Sequence, residues 1–229
     1  MRILTGTSGY SYKEWKGHFY PADLKADGML RYYGEHLKAV EINNTFYRMP
    51  KEEVLLDWAA QVPDGFTFVI KASRRITHIK RLKEVGEEVG YLLRTANVLG
   101  KRLGPTLFQL PPNLKKDLPR LTDFLAHIPK TWRAAVEFRH ESWFDDETFA
   151  ALRSHDVALV YSDEDEEKEP PFVSTAGWGY LRLRRGSYDL RSWVRRVKEQ
   201  AWSDAFVFFK HEDAGAGPRM AVEFAALCG

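Results

Sequence analysis

A chain of 229 residues with 34 Lys and Arg against 32 Asp and Glu carries a formal charge of only +2, which excludes a uniformly basic coat protein and an acidic disordered tail. With 44% hydrophobic residues it has material for a large core, and its single cysteine, Cys228, excludes an internal disulfide framework or a cysteine zinc site. No apolar run approaches the roughly 18 residues of a membrane helix, and the first ten residues lack a signal-type apolar stretch. The expectation is a cytoplasmic protein without a membrane partner, in one domain over residues 1–229.

Strand-type apolar runs and helix-forming segments alternate along the chain. A strand at 3–5 precedes a helix at 29–37. Strand 39–43 is followed by helix 52–61, strand 67–71 by helix 85–99, strand 106–110 by helix 118–127, and strand 134–138 by helix 146–154. After strand 157–162 comes DEDEEKEPP at 163–171, a charge run ending in two prolines, so a loop replaces or reduces the sixth helix. Strand 180–184, helix 190–201 and strand 205–210 complete the series, and Pro218 suits the first position of a last helix reaching Leu227. Eight strand runs in this length predict an α/β fold, a compact TIM-type (β/α)8 barrel, with a doubly wound open sheet as its rival.

Side chains along a strand alternate between faces, and here polar residues keep to one parity. Glu41 and Asn43 alternate with Val40 and Ile42, Lys71 with Ile70, and Gln109 with Phe108 and Leu110. Glu137 and Arg139 alternate with Val136 and Phe138, and Arg182 and Arg184 with Leu181 and Leu183. On the sixth strand Asp163 shares a parity with Tyr161, and on the eighth the parity is ambiguous between Lys210 and His211. Unpaired charges in a dry barrel would cost several kcal/mol each, which places this set at a wet mouth at the carboxyl ends of the strands, where barrel enzymes carry their chemistry. The competing reading is a purely structural network of internal salt bridges.

The cations outnumber the carboxylates and are mostly arginine, so the mouth predicts an anionic ligand, phosphate or carboxylate. Gly215-Ala216-Gly217-Pro218 after the eighth strand adds a candidate phosphate-binding helix start. Glu41, Glu137 and Asp163 are the catalytic candidates. Glu137, two residues from Arg139, suits a base or metal ligand, and Glu41, beside Asn43, suits an acid. His78, His140 and His211 follow strand ends; a divalent metal would draw on one of them with the three carboxylates. Tyr10, Tyr12, Trp15, Phe46, Tyr47, Trp143 and Trp178 flank the strand ends, and with Arg74, Arg75, Lys80, Arg81 and Lys83 they would form an aromatic, basic rim able to follow nucleic acid. Packing of loops is the ordinary alternative for each ring.

Gly6-Thr-Ser-Gly9-Tyr10, Val40-Glu41-Ile42-Asn43 with Thr45-Phe46-Tyr47-Arg48, Lys71, Thr77-His78, Phe108-Gln109-Leu110-Pro111-Pro112 and Val136-Glu137-Phe138-Arg139-His140 with Trp143 resemble the DUF72 (YecE-like) family. The resemblance spans nearly the whole chain and implies a TIM-type barrel, with no settled activity. The family usually carries Arg-Leu-His-Gly where this chain has Arg182-Leu183-Arg184-Arg185-Gly186, and an Asn-Asn-Asp-like run where it has Lys210-His211-Glu212-Asp213. Both departures make the expected mouth more basic.

The combined expectation is an enzyme acting on a phosphate-bearing ligand, such as a nucleotide, nucleic-acid end or sugar phosphate, by carboxylate acid/base hydrolysis or lyase chemistry. Its ligand contacts would come from Asn43, Lys71, His78, Gln109, Arg139, His140, Trp143, Arg182, Arg184 and Lys210. A glycosidase-like hydrolase and a non-catalytic nucleic-acid or metabolite-binding barrel stand as alternatives.

Overall fold

The computed structural model describes residues 1–163, 169–210 and 213–229. Eight parallel strands close a barrel in sequence order: β1 (Arg2–Ser8), β2 (Ala39–Ile42), β3 (Thr67–Lys71), β4 (Leu103–Gln109), β5 (Ala134–Glu137), β6 (Ala158–Ser162), β7 (Gly179–Leu183) and β8 (Asp204–Phe209). Helices α1 (Met29–His36), α2 (Glu52–Gln61), α3 (Gly86–Ala96), α4 (Leu118–Leu125) and α5 (Asp146–Arg153) follow the first five strands. Among the described residues no helix joins β6 to β7; α6 (Leu190–Lys198) follows β7 and α7 (Ala216–Cys228) follows β8. Closure is made by β1 on β8, in register from Arg2 opposite Asp204 to Thr7 opposite Phe209. The open-sheet alternative is therefore excluded. Among the described residues no helix is long and apolar enough to cross a membrane.

Strand parity sorts the apolar residues into two cores. Val40, Ile42, Phe68, Ile70, Phe108, Val136, Leu181 and Leu183 pack outward on the helices. Leu4, Ala39, Val69, Leu107, Ala135, Val160, Tyr180, Phe206 and Phe208 fill the barrel. Small residues on β2 and β5 face large rings on β7 and β8, so the interior is filled with side chains and is not a pore. Where β1 approaches β2, a Cβ added to Gly6 would lie 1.8 Å from the Ala39 carbonyl oxygen, so only glycine fits.

Helix starts follow local chemistry. Asp117, Asp145 and Asp189 cap α4, α5 and α6, each accepting a backbone N–H three residues on. Helix α3 ends at Ala96 and continues as a tighter turn through Asn97–Arg102, where Gly100 leaves helical geometry at φ 53°, shorter than the periodicity predicts. Helix α7 starts at Ala216, two residues before Pro218, because Gly215 takes a left-handed φ of 68° at its N-cap.

Candidate functional site at the barrel mouth

Glu41, at the end of β2, is fully buried and accepts four hydrogen bonds. Ser8 Oγ donates at 2.8 Å, Tyr180 OH at 2.7 Å, Arg182 Nη2 at 2.7 Å and Asn43 Nδ2 at 3.2 Å. Glu137, at the end of β5, takes Arg182 Nη1 at 2.7 Å on one oxygen and Gln109 Nε2 at 2.7 Å on the other. One buried guanidinium thus holds both carboxylates, and Arg184 Nη2 lies 3.9 Å from Glu137. The line extends outward from Gln109, whose amide oxygen accepts from Lys71 Nζ at 2.9 Å. The parity-predicted residues Glu41, Asn43, Lys71, Gln109, Glu137 and Arg182 are therefore one connected network.

The electrostatics follow from this order. Burial raises the Glu137 carboxyl, but the charges of Arg182 and Arg184 and the Gln109 hydrogen bond outweigh it and hold it at about 2. Glu41 is likewise pushed up by burial and pulled down further by Arg182 and by the donors Tyr180 and Ser8, for a net lowering. Both carboxylates are ionised near neutrality. This runs against the expectation of Glu41 as a general acid: its donors come from β1, β7 and the neighbouring Asn43, and all favour the anion. Tyr180 is raised well above its ordinary value by burial and by Glu41, so it remains a donor.

The cations above them repel one another. Lys71 is lowered to about 8, first by burial and then by Arg182, with Glu41 and Glu137 partly opposing and Arg184 adding to the fall. Its ammonium lies 4.6 Å from the centre of the Phe46 ring, whose edge-to-face partner is His78. Burial, Lys71, Arg139 and Arg81 all lower His78, which shares a 2.8 Å hydrogen bond with Thr77 through Nδ1. Arg139 and Arg184 are lowered by burial and by neighbouring guanidinium charge, with Glu137 opposing in both cases.

The other expected residues have surroundings of their own. Asp163 follows the last residue of β6 on the parity of Tyr161, which packs outward; its carboxylate accepts the Arg184 N–H at 2.7 Å and the Tyr188 hydroxyl, and Arg185 Nε stands 3.6 Å away. It props the β7–α6 loop and is not part of the Glu41–Glu137 network. Trp143 is fully buried, stacked on Phe138 and donating its indole N–H to Leu114 at 2.7 Å, so it has no face for a ligand. His140 Nδ1 accepts the Ser142 N–H at 3.2 Å and caps a short turn. Lys210 directly follows β8, its N–H donating to the Leu183 carbonyl at 2.9 Å, while His211 and Glu212 lie outside the described residues.

Trp178 precedes β7 and packs in the barrel interior against Phe206, with Arg133 over its ring, at the amino-terminal end and not at the mouth. Arg75 and Lys80 of the expected basic rim pair with Glu88. The Gly215–Pro218 segment is buried, and a Cβ at Gly215 would meet His18 at 3.1 Å, so the helix start is covered by the loop after β1. Among the described residues no three His, Cys, Asp or Glu side chains are gathered as metal ligands; between Glu41 and Glu137 the cationic position is filled by Arg182.

Ser8 and Thr77 stand in motifs that carry the resemblance, yet neither they nor Tyr180 are among the site residues expected from sequence. Tyr180 had a readable signal, its position two residues before Arg182 on the same strand face. The segment after β3 is unusual in its backbone: a π-helical turn at Arg75–Ile79 precedes left-handed φ angles at Arg81 (51°), Leu82 (67°) and Glu84 (50°). Such geometry in non-glycine residues costs energy and concentrates at functional sites. A cleft of about 440 Å³ opens beside this segment between Thr45, Met49, Ser73, Ile76 and Tyr91, adjoining the network through Thr45, whose hydroxyl donates to the Lys71 carbonyl at 2.7 Å.

The family model described as "Protein of unknown function DUF72" matches residues 4–229. The UPF0759 protein YecE of Escherichia coli K12 is 35% identical over 116 residues; that match covers 50% of this chain and 43% of YecE, under half its length. The UPF0759 protein YunF of Bacillus subtilis is 23% identical, with 88% of this chain and 87% of YunF covered. The crystal structure of a DUF72 family protein from Thermotoga maritima superposes with a TM-score of 0.88 at 28% identity, covering 99% of both chains. A whole-chain family match, on a closed barrel whose mouth gathers the residues that carried the resemblance, makes this chain a member of the DUF72 family.

Proposed function

We propose that the protein is an enzyme acting on a small phosphate-bearing ligand, such as a nucleotide, nucleic-acid end or sugar phosphate. Lys71, Arg139 and Arg184 hold the anion over the strand ends. The observation that carries this reading is the mutual electrostatic strain of the cations: Lys71, Arg139 and Arg184 each have their charged form disfavoured by burial and by neighbouring positive charge. An anion among them relieves that strain, and arginine offers phosphate a planar fork.

Within this reading the carboxylates are not the proton donors. Glu41 and Glu137 hold Arg182 in place and remain anionic, and Glu137 at about 2 is a weak base. Proton transfer in a hydrolytic or lyase step then falls to Lys71, at about 8, and to His78, whose pKa is depressed so that the neutral imidazole is present. A glycosidase-like mechanism needs one carboxyl protonated, which this network opposes.

The test is calorimetric titration with inorganic phosphate and with a nucleoside monophosphate. Arg184→Ala and Arg139→Ala should each weaken binding by about tenfold or more, consistent with loss of a charge-assisted contact. Unchanged affinity in both variants overturns the assignment of the pocket.

A further inference from the structure

Lys71 differs from the mouth's arginines in what holds it. Its Nζ donates to the neutral amide oxygen of Gln109 at 2.9 Å, and among the described residues no carboxylate oxygen stands within 4.0 Å of it. Gln109 is itself fixed, because its amide nitrogen is committed to Glu137 at 2.7 Å. The lysine side chain is half-buried at the end of β3 and lies against the Phe46 ring. The amine is therefore held in one place, at the wet end of the barrel, by a partner that does not require it to be charged.

A lysine that serves only as a phosphate contact gains by staying protonated. For this one burial favours loss of its proton, as Arg182 and Arg184 do, with Glu41 and Glu137 partly opposing. Desolvation together with a neighbouring cation is how a lysine amine is made nucleophilic at neutral pH. The same arginines would hold a phosphate within reach of the amine.

We propose that Lys71 is a Schiff-base nucleophile, its amine adding to the carbonyl carbon of a small phosphorylated aldehyde or ketone whose phosphate rests on Arg139 and Arg184. The inference rests on the anion-binding reading above and gives its ligand a class, phosphorylated carbonyl compounds. The neutral amine nitrogen forms the new N–C bond while the carbonyl π pair moves to oxygen, and the proton lost by nitrogen is taken up by that oxygen. The carbinolamine then expels the oxygen as water, leaving a C=N bond on Lys71. One amine and one carbonyl give one imine and one water, and no other reactant is needed.

The test is reductive trapping of the full chain with dihydroxyacetone phosphate and borohydride, followed by peptide mass mapping. Unphosphorylated dihydroxyacetone serves as the control. The expected result is a reduced adduct at Lys71 at least tenfold above that on any other lysine, falling about tenfold with the unphosphorylated probe. In Lys71→Arg the adduct should be lost. An adduct spread over surface lysines with no excess at Lys71, or equal labelling by the two probes, overturns the proposal. If phosphate binds the wild-type protein yet Lys71 is not labelled, the Schiff-base inference fails alone; if phosphate does not bind at all, the reading it rests on fails first.

Discussion

Arg182 on β7 donates from Nη2 to Oε1 of Glu41 on β2 at 2.7 Å, joining two strands that share no ladder in the barrel. Because its other Nη holds Glu137 on β5, a single guanidinium ties together three sides of the mouth. Removing it leaves the buried Glu41 without a countercharge and Glu137 with only Arg184, at 3.9 Å. Arg182→Met should lower unfolding stability by about 3–5 kcal/mol, and Arg182→Lys, which lacks the planar fork, should recover only part of it. Urea denaturation checks this; a loss below about 1 kcal/mol in Arg182→Met would contradict it.

Acid should weaken the same network. Both Glu41 and Glu137 have their folded pKa depressed, so their stabilisation is fully present above the ordinary carboxylate value and is lost as pH falls through the folded one. For Glu137 the window runs from 4.5 down to about 2, a contribution on the order of 3 kcal/mol. Urea midpoints measured between pH 6 and 2.5 should fall with acid more steeply in the wild type than in Glu137→Gln.

Lys71 has the opposite sign. Its folded pKa of about 8 lies below the ordinary 10.5, so the unfolded chain binds more protons between those values and stability rises with pH across that window. Burial and Arg182 and Arg184 drive this, against Glu41, Glu137 and the Phe46 ring face. Lys71→Met should therefore stabilise the fold at pH 7, by about 1–3 kcal/mol, and flatten the rise above pH 8. Thermal melts of the two proteins at pH 7 and pH 9.5 separate the outcomes, and equal or lower stability of the variant at pH 7 would count against a strained lysine.

Opposite ends of the barrel should respond differently. At the amino-terminal end Asp204 pairs with Arg2 at 2.8 Å and Arg133 at 2.7 Å. Asp204→Ala should cost about 1–3 kcal/mol of stability while leaving phosphate affinity unchanged, since this end of a barrel serves the fold. Parallel denaturation and titration of this variant make the comparison.

The barrel was legible because its signals are local. Helix α2 and strand β3 occupy the spans their periodicities predict, and a period of two sends Glu41, Lys71, Gln109, Glu137 and Arg182 to one face of their strands. Parity also explains Asp163: it shares the face of Tyr161, which packs outward, so it props a loop and does not join Glu137. The aromatic residues were harder to place. Trp143 and Trp178 look alike in sequence, yet one is stacked on Phe138 behind the strands and the other fills the far end of the barrel interior. The lowered pKa of Glu41 could not be read from sequence, because Ser8, Tyr180 and Arg182 reach it from β1 and β7.

The proposed anion site is built from Lys71, Arg139 and Arg184 above the Arg182 clamp. A crystal soaked with sulfate or phosphate tests it. Tetrahedral density is expected within hydrogen-bonding distance of those three side chains, with Glu41 and Glu137 still held by Arg182. Anion density elsewhere on the molecule, with these cations unliganded, would contradict it.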